Sequence, residues 1–147
     1  MFVENGLYDT RLKTENRGMA DRFVVKTLRR DEVVLDRATG LMWQQAASPQ
    51  QMVYRLAMDW VDNLNKRTFA GFDDWRLPTL EEAMTLMERL PNTRGFYIDP
   101  IFMSRQRFWM WTSDRGGADS AWYVNFNYGY SQLNRKKTGH NYVCAVR

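Results

Sequence analysis

The apolar residues of this sequence change their spacing twice along the chain, and the order of spacings restricts the fold more than any other feature. Two short runs rich in β-branched residues, at 22–28 and 32–36, are separated by three charged residues and predict a β-hairpin. Two stretches with helical spacing follow, at 54–66 and 78–91. Strand-like runs return after Gly95. The sequence therefore predicts an α+β domain with two helices between two β-rich regions.

The second helical stretch carries the clearest local signals. Thr79 is predicted as its N-cap, Glu82 completes a capping box three residues later, and Pro91 ends the helix. Its predicted apolar face comprises Leu80, Ala83, Met84, Met87 and Leu90. The stripe of the first helix comprises Leu56, Ala57, Trp60, Val61 and Leu64.

Four β-rich runs follow the helices. They lie at 107–113, 120–126, 130–133 and 141–147, and glycines separate them. The only cysteine, Cys144, lies in the last run, which excludes an intrachain disulfide and a multi-cysteine zinc site. A lone cysteine between Val143 and Ala145 is predicted to pack as a small buried hydrophobe.

A chain of 147 residues fits one domain, which is expected to span residues 21–147. Residues 1–20 are polar and lack a sustained period, so they are predicted to form an N-terminal arm. Residues 11–30 hold seven basic and two acidic side chains, a balance of 7 − 2 = +5. This basic segment is interpreted as solvated, with docking on an acidic partner or a neighbouring subunit as the alternative. Nucleic acid is not an expected partner, because no recognised module accompanies the charge.

The sequence contains neither a long apolar membrane span nor the apolar run of a secretory signal near its first residues. We therefore expect a cytoplasmic protein without a membrane partner. Export by another route is left open.

Several segments occur together in an order that resembles a known family. They are VVLDRATGLMWQQA (33–46), LAMDWVDNLN (56–65), AGFDDWRLPTLEEA (70–83), YIDPIF (97–102), FWMWTSD (108–114), AWYVNFNYGY (121–130) and YVCAVR (142–147). Over residues 22–147 the chain resembles the Lcl_C family, the C-terminal domain of collagen-like proteins. The resemblance implies a C-type-lectin-like fold, related to that of the formylglycine-generating enzyme, with two helices on antiparallel sheet and the first and last strands paired.

On this resemblance, AGFDDWRLPT is a structural corner. Trp75 is expected to fill the core, and Arg76 to pair with Asp73, Asp74 or backbone carbonyls. The residues assigned structural roles are Trp43, Trp60, Trp75, Arg76, Pro78, Thr79 and Glu82. Adjacent aspartates on a strand point to opposite faces, which disfavours an acid-base pair, and the acids lack calcium-loop spacing. No metal and no cofactor are expected.

The sequence offers few catalytic candidates. His140 is the only histidine, and no nucleophile elbow lies near it, so an exposed turn residue is the plainer interpretation. The formylglycine-generating relatives use two cysteines in this region, and only Cys144 is present. We therefore predict that the protein is not an enzyme.

The C-terminal region is rich in Tyr and Asn, which make adaptable contact surfaces. An ordinary exposed sheet would have a similar composition. The predicted ligand-binding residues are Trp111, Asp114, Arg115, Tyr123, Asn125, Asn127, Tyr128, Tyr130, Gln132, Asn134, Lys136 and His140. C-type-lectin-like domains commonly bind through this region, and the tail is similar to those of variable proteins diversified by retroelements.

The first hypothesis is a non-catalytic module that binds a protein ligand through this surface. The alternatives are a domain that binds a polyanionic glycan through Arg135, Lys136 and Lys137, an enzyme-like remnant that uses His140 or Cys144, and a structural subunit that docks through the arm.

Overall fold

The computed structural model describes residues 21–102 and 108–147, in which two antiparallel sheets accompany two helices. The first sheet has the order β1 (Phe23–Leu28), β2 (Asp31–Asp36), β3 (Met42–Gln44), and the second has the order β4 (Trp109–Arg115), β5 (Ser120–Asn125), β6 (Tyr130–Arg135). The helices are α1 (Tyr54–Lys66) and α2 (Leu80–Met84), with short 3-10 turns at Phe69–Gly71 and Pro100–Phe102. The predicted combination of two helices with antiparallel sheet is confirmed. The arm at residues 1–20 lies outside the described residues.

The predicted hairpin is formed by β1 and β2, which pair in register from Phe23 opposite Asp36 to Leu28 opposite Asp31. A buried ion pair closes its open end. The guanidinium of Arg22 donates to both carboxylate oxygens of Asp36, from Nε at 2.7 Å and from Nη2 at 2.8 Å. Arg22 therefore belongs to the folded domain, and its assignment to a solvated basic segment is wrong.

The C-terminal segment, Asn141–Arg147, runs between the two halves of the molecule. The N–H of Gln44 in β3 donates to the carbonyl of Ala145 at 3.0 Å. On the other side, Arg76 and Val146 exchange two backbone hydrogen bonds, of 3.0 and 2.9 Å. The predicted pairing of the first and last strands is wrong, because β1 pairs with β2 and the segment lies beside β3, at the opposite edge of the sheet. The segment forms isolated bridges rather than a continuous strand.

Consecutive side chains of the C-terminal segment enter two different hydrophobic clusters. Val143 and Ala145 pack in a cluster with α1, whereas Cys144 and Val146 pack in the cluster that contains Trp43. All four are fully buried, as their alternation in an extended chain requires when both faces are covered. The prediction that Cys144 is buried is confirmed.

Helix α1 begins and ends where its spacing predicts, but its buried face differs by one residue. Ala57, Val61 and Leu64 are buried, whereas the side chain of Leu56 is 45% exposed. Leu56 was therefore wrongly included in the core stripe, because it lies at the margin of the face that packs inward. Trp60 packs against the core cluster but stays half-exposed.

Helix α2 has the predicted capping box but is shorter than predicted. The N–H of Glu82 donates to Thr79 Oγ1 at 3.0 Å, and the Thr79 N–H donates to Glu82 Oε1 at 2.9 Å. The helix ends at Met84 rather than at Pro91. The N–H groups of Leu86 and Met87 donate to carbonyls three residues back, at Ala83 and Met84, and the N–H of Glu88 donates to the carbonyl of Tyr97. Of the predicted face, Met84 and Leu90 are exposed.

The AGFDDWRLPT segment is a corner, as predicted, and Trp75 is its buried centre. The Asn65 side chain on α1 holds the Trp75 backbone from both sides: its Oδ1 accepts from the Trp75 N–H at 2.7 Å, and its Nδ2 donates to the Trp75 carbonyl at 2.9 Å. The indole Nε1 donates to the carbonyl of Phe69 at 2.9 Å. The corner is thereby fixed to the helix that precedes it.

The charges of the corner pair differently from the prediction. Arg76 donates from both terminal nitrogens to the carboxylate of Glu82, at 2.8 Å each, and makes a longer bond of 3.4 Å to the carbonyl of Leu77. Asp74 instead accepts from Arg147, at 2.5 and 3.1 Å. The predicted carboxylate partners of Arg76 were wrong, because the capping box brings Glu82 back toward the corner.

We predict that Asn65→Ala lowers the free energy of unfolding by about 2–3 kcal/mol, because it removes two hydrogen bonds to a half-buried backbone segment. Chemical denaturation measures this loss. Asn63→Ala is the matched control, since Asn63 is exposed on the same helix. Equal losses for the two variants would contradict the role of Asn65.

The Arg76–Glu82 pair predicts a pH-dependent contribution to stability. Hydrogen bonds from Arg76 lower the pKa of Glu82 below its ordinary value of 4.5. A lowered folded-state pKa means that the contribution is present above the unfolded-state pKa and is lost as the pH falls through the folded-state pKa. Glu82→Gln should therefore cost about 0.5–1 kcal/mol near neutral pH and progressively less in acid.

Denaturation midpoints of the wild type and Glu82→Gln, measured from neutral pH down into acid, check this expectation. Glu81→Gln, at an exposed neighbouring position, is the control. A difference between wild type and Glu82→Gln that stays constant into acid would show that the ion pair is not its origin.

Candidate functional site

The register of the second sheet brings half of the predicted ligand-binding residues onto one face. Cross-strand partners in an antiparallel sheet point to the same side, and successive partners two residues apart share that side. The face comprises Trp111, Tyr123 and Gln132 in one row, Asn125 and Tyr130 in a second, and Asn134 in a third.

The part of this face nearest β6 is open to solvent and carries a tyrosine pair. The rings of Tyr123 and Tyr130 meet edge to face with centroids 6.3 Å apart, and their hydroxyl oxygens are 3.4 Å apart. Burial, and then the hydrogen bond with Tyr130, raise the pKa of Tyr123 to about 12. Its phenol therefore stays protonated at neutral pH and remains a hydrogen-bond donor. We call Tyr123, Tyr128, Tyr130 and Gln132 the tyrosine face.

Asn125 shapes the turn that presents Tyr128. The Asn125 Oδ1 accepts from the N–H groups of Asn127 and Tyr128, at 2.9 and 3.1 Å. The side chain of Tyr128 is 74% exposed at this turn. Asn125 itself is buried, so its direct contact with a ligand, as predicted from the sequence, is not supported; it positions Tyr128 instead.

Trp111 is the clearest correction to the predicted site. Its side chain is fully buried, its ring meets that of Tyr54 edge to face at 5.1 Å, and its Nε1 donates to the carbonyl of Met52 at 2.8 Å. It lies on the predicted face, but α1 covers that end of the face. Alternation in the sequence shows on which side of a strand a residue lies, but it does not show what packs against that side.

Asp114 and Asn127 hold backbone groups of neighbouring segments. Asp114 Oδ1 accepts from the N–H of Leu80, at the start of α2, at 3.2 Å. Asn127 Oδ1 accepts from the N–H of Phe108 at 2.8 Å. Both side chains are half-buried, so the structure gives each a positioning role.

Asn134 and Lys136 also make contacts within the fold. The Asn134 side chain lies so close to Gly139 that a Cβ at that glycine would be 2.3 Å from it. The ammonium of Lys136 lies 5.2 Å from the ring centroid of Tyr54. Arg115, by contrast, is exposed.

A second concave surface lies along α1, and the sequence reasoning missed it. It is a groove of about 410 Å³ lined by Gln50, Gln51, Met52, Val53, Leu56, Asp59, Trp60, Asn63 and His140. Of the predicted ligand-binding residues, only His140 lies in this groove. The wall from α1 follows helical spacing, with Leu56, Asp59, Trp60 and Asn63 at i, i+3, i+4 and i+7. This row mixes apolar and polar residues, which was the signal in the sequence for a groove on this side of α1. Leu56 and Trp60 were instead assigned to the core.

His140, in the segment that follows β6, also lines the groove. Its Nδ1 is 2.9 Å from the carbonyl of Thr138. Because a carbonyl only accepts, Nδ1 carries the proton, and Nε2 of the neutral ring is an acceptor. The prediction of an exposed turn histidine is confirmed.

Two further observations concern metal binding and membrane insertion. Within residues 21–102 and 108–147, no three His, Cys, Asp or Glu side chains come together in a way that could hold a metal ion. No helix in the same part of the chain is long and apolar enough to cross a membrane.

These observations define a class: a mixed α/β domain whose second sheet presents an aromatic and amide-rich face beside a groove on its longer helix. A family model described as the Lcl C-terminal domain matches residues 32–147. The chain belongs to this Lcl_C family. Strand β1 precedes the matched region but is joined to it by its full pairing with β2. No curated protein matches the chain.

We predict that Cys144 does not react with iodoacetamide in the folded protein at neutral pH. Complete burial raises the pKa of its thiol to about 12, and a reagent needs an accessible thiolate. Mass spectrometry should show modification only after denaturation. Rapid modification under native conditions would revive the enzyme-like hypothesis for this residue.

Proposed function

We propose that this protein is a non-catalytic recognition module that binds a protein ligand through the tyrosine face. The observation that carries the proposal is the position of this face: its tyrosines lie on β5, on β6 and in the turn between them, at the open edge of the sheet. Tyr side chains offer a large contact area at low conformational cost, and they accept and donate hydrogen bonds.

Strand β6 adds backbone groups to this surface. Within the described residues β6 pairs only with β5. The N–H of Lys136 donates to the carbonyl of Asp119, and this bond shows which alternate residues of β6 direct their backbone groups toward β5. Ser131 and Leu133 consequently direct their backbone groups away from β5. An extended segment of a protein ligand could pair there while its side chains contact Tyr130 and Gln132.

The resemblance supports a recognition role beyond the family membership itself. C-type-lectin-like domains commonly bind through their C-terminal region, and the Tyr- and Asn-rich tail is similar to those of variable proteins diversified by retroelements. We therefore extend the proposal to a C-type-lectin-like variable protein that acts in the cytoplasm without a cofactor.

A polyanionic glycan is the second candidate, favoured by the exposure of Arg135 and Lys137 directly after the tyrosine face. Lys136 is less available for this role, because its ammonium lies over the Tyr54 ring. Binding through exposed cations should weaken steeply with salt, whereas contacts dominated by Tyr should not.

We predict that a photo-crosslinking amino acid at position 128 captures a defined protein from cell lysate, whereas the same group at position 90 does not. The two positions are matched in exposure, at 74% for Tyr128 and 79% for Leu90, but only the first lies on the tyrosine face. Tyr130→Ala and Gln132→Ala, in the chain that carries the cross-linker, should each reduce capture several-fold.

Repeating the capture at raised salt separates the two candidates. Retained capture supports the protein ligand, and loss of binding together with enrichment on sulfated polysaccharide supports the glycan. Equal capture at positions 128 and 90 would place recognition elsewhere.

A further inference from the structure

We propose that the groove along α1 is a second binding site, distinct from the tyrosine face, and that it takes an uncharged sugar. The site is formed by the α1 row of Leu56, Asp59, Trp60 and Asn63, together with the residues before the helix and His140. Its volume of about 410 Å³ lies within the range of small-ligand pockets, roughly 300–1,000 Å³. It therefore suits a short glycan segment rather than a folded partner.

The apolar part of the groove suits the face of a sugar ring. Trp60 is half-exposed although it packs against the core cluster, so one part of its ring is anchored and another part meets solvent. A large aromatic surface held in this way is a rigid platform against which the C–H groups of a pyranose can pack. Leu56, 45% exposed and one turn earlier on α1, extends this platform.

The polar part of the groove suits hydroxyl groups. Gln50, Gln51 and Asn63 provide amides, each of which donates and accepts. Asp59 and the Nε2 of His140 add acceptors. Sugar hydroxyls both donate and accept, so they can use every one of these groups. A purely apolar ligand would leave them without partners, at a cost in free energy.

The charge of the groove argues against an anionic ligand. Its lining contains no Lys or Arg and one carboxylate, that of Asp59. That carboxylate forms an ion pair with Arg55, with the nitrogen and oxygen 3.4 Å apart. Because the pair is exposed to solvent, it offers little attraction to a second anion. The groove lining therefore offers a sulfated or uronic sugar no cation of its own, unlike the surface at Arg135 and Lys137.

The backbone of the groove argues against an extended peptide. Peptides that add to a strand use free backbone groups of that strand. Met52 in the groove wall exchanges both of its backbone hydrogen bonds with Asn141, at 2.9 and 3.1 Å, so these groups are already used. The opposite wall is the helix α1, whose backbone N–H groups beyond the first turn bond internally. At Met52 and along α1 beyond its first turn, the groups left for recognition are therefore side chains.

The test uses the full chain on an array of immobilised oligosaccharides, with uncharged and anionic glycans side by side. Each uncharged glycan that binds is then titrated in solution, with tryptophan fluorescence as the readout. Asp59→Ala should weaken binding at least about tenfold, because it removes a charged hydrogen-bond acceptor. Asp62→Ala is the matched control on the same helix, since Asp62 is exposed and outside the groove.

A second matched pair tests the apolar platform. Leu56→Gln should weaken binding several-fold, whereas Met58→Gln should not, although the two side chains are 45% and 46% exposed on the same helix. Both are surface substitutions, so the fold is expected to persist. Trp60→Ala should abolish binding, and a melting curve shows whether that variant is folded.

Binding of an uncharged glycan that both groove substitutions weaken and both controls spare would support the proposal. It is overturned if no uncharged glycan binds at millimolar concentration, if only anionic glycans bind, or if the groove variants and controls bind equally. The proposal would also be overturned if the groove substitutions weakened the binding of a peptide and not that of a sugar. None of these readouts depends on the tyrosine face, so the two proposals fail independently.

Discussion

The structure depends on the backbone hydrogen bonds of the C-terminal segment. Val143, Cys144, Ala145 and Val146 are fully buried, so their N–H and C=O groups require partners inside the protein. Backbone groups of β3 and Arg76 supply some of these partners, and side chains supply others: Ser48 Oγ accepts from the Val143 N–H at 3.0 Å, and Gln44 Oε1 accepts from the Ala145 N–H at 2.9 Å. These bonds pair backbone groups of Val143, Ala145 and Val146, so a short irregular segment can lie buried between two hydrophobic clusters.

The AGFDDWRLPT corner follows from this arrangement. It must place Arg76 beside Val146 and Trp75 in the core, and Asn65 and the capping box fix those two positions from opposite sides. The last residue, Arg147, closes the corner, since its guanidinium bonds Asp74 and lies 3.7 Å from the ring centroid of Phe72. Exposed ion pairs contribute little free energy individually. Here their effect is to select one geometry for a segment whose burial supplies the stability.

The two candidate binding surfaces share one structural support, the first residue of α1. The N–H of Tyr54 donates to the carbonyl of Lys136, just after β6, and its hydroxyl donates to the carbonyl of Thr112 in β4 at 3.1 Å. Burial raises the pKa of this hydroxyl, so it remains a donor at neutral pH. The start of α1 is thus fixed against the second sheet, which carries the tyrosine face, and the same helix forms one wall of the groove.

Local sequence determined the elements whose causes lie within a few residues. The bounds of α1, the hairpin of β1 and β2, the capping box at Thr79, and the strands around the glycine turns were all predictable, because periodicity, capping and turn chemistry are short-range effects. The residues of the tyrosine face were likewise visible as a composition, and alternation gave the side of β5 on which Tyr123 lies. The register of β5 with β6 was needed to bring Tyr130 and Gln132 to that side.

Tertiary structure decided what those elements pack against. The C-terminal segment lies beside β3 rather than β1, and Trp111 is covered by α1. Leu56 borders a groove instead of packing in the core, and Trp60 packs against the core but also lines that groove. Each outcome depends on contacts between residues far apart in the chain, such as Gln44 with Ala145. A periodic pattern tells which side of an element is apolar, but only the packed molecule determines whether another element covers that side.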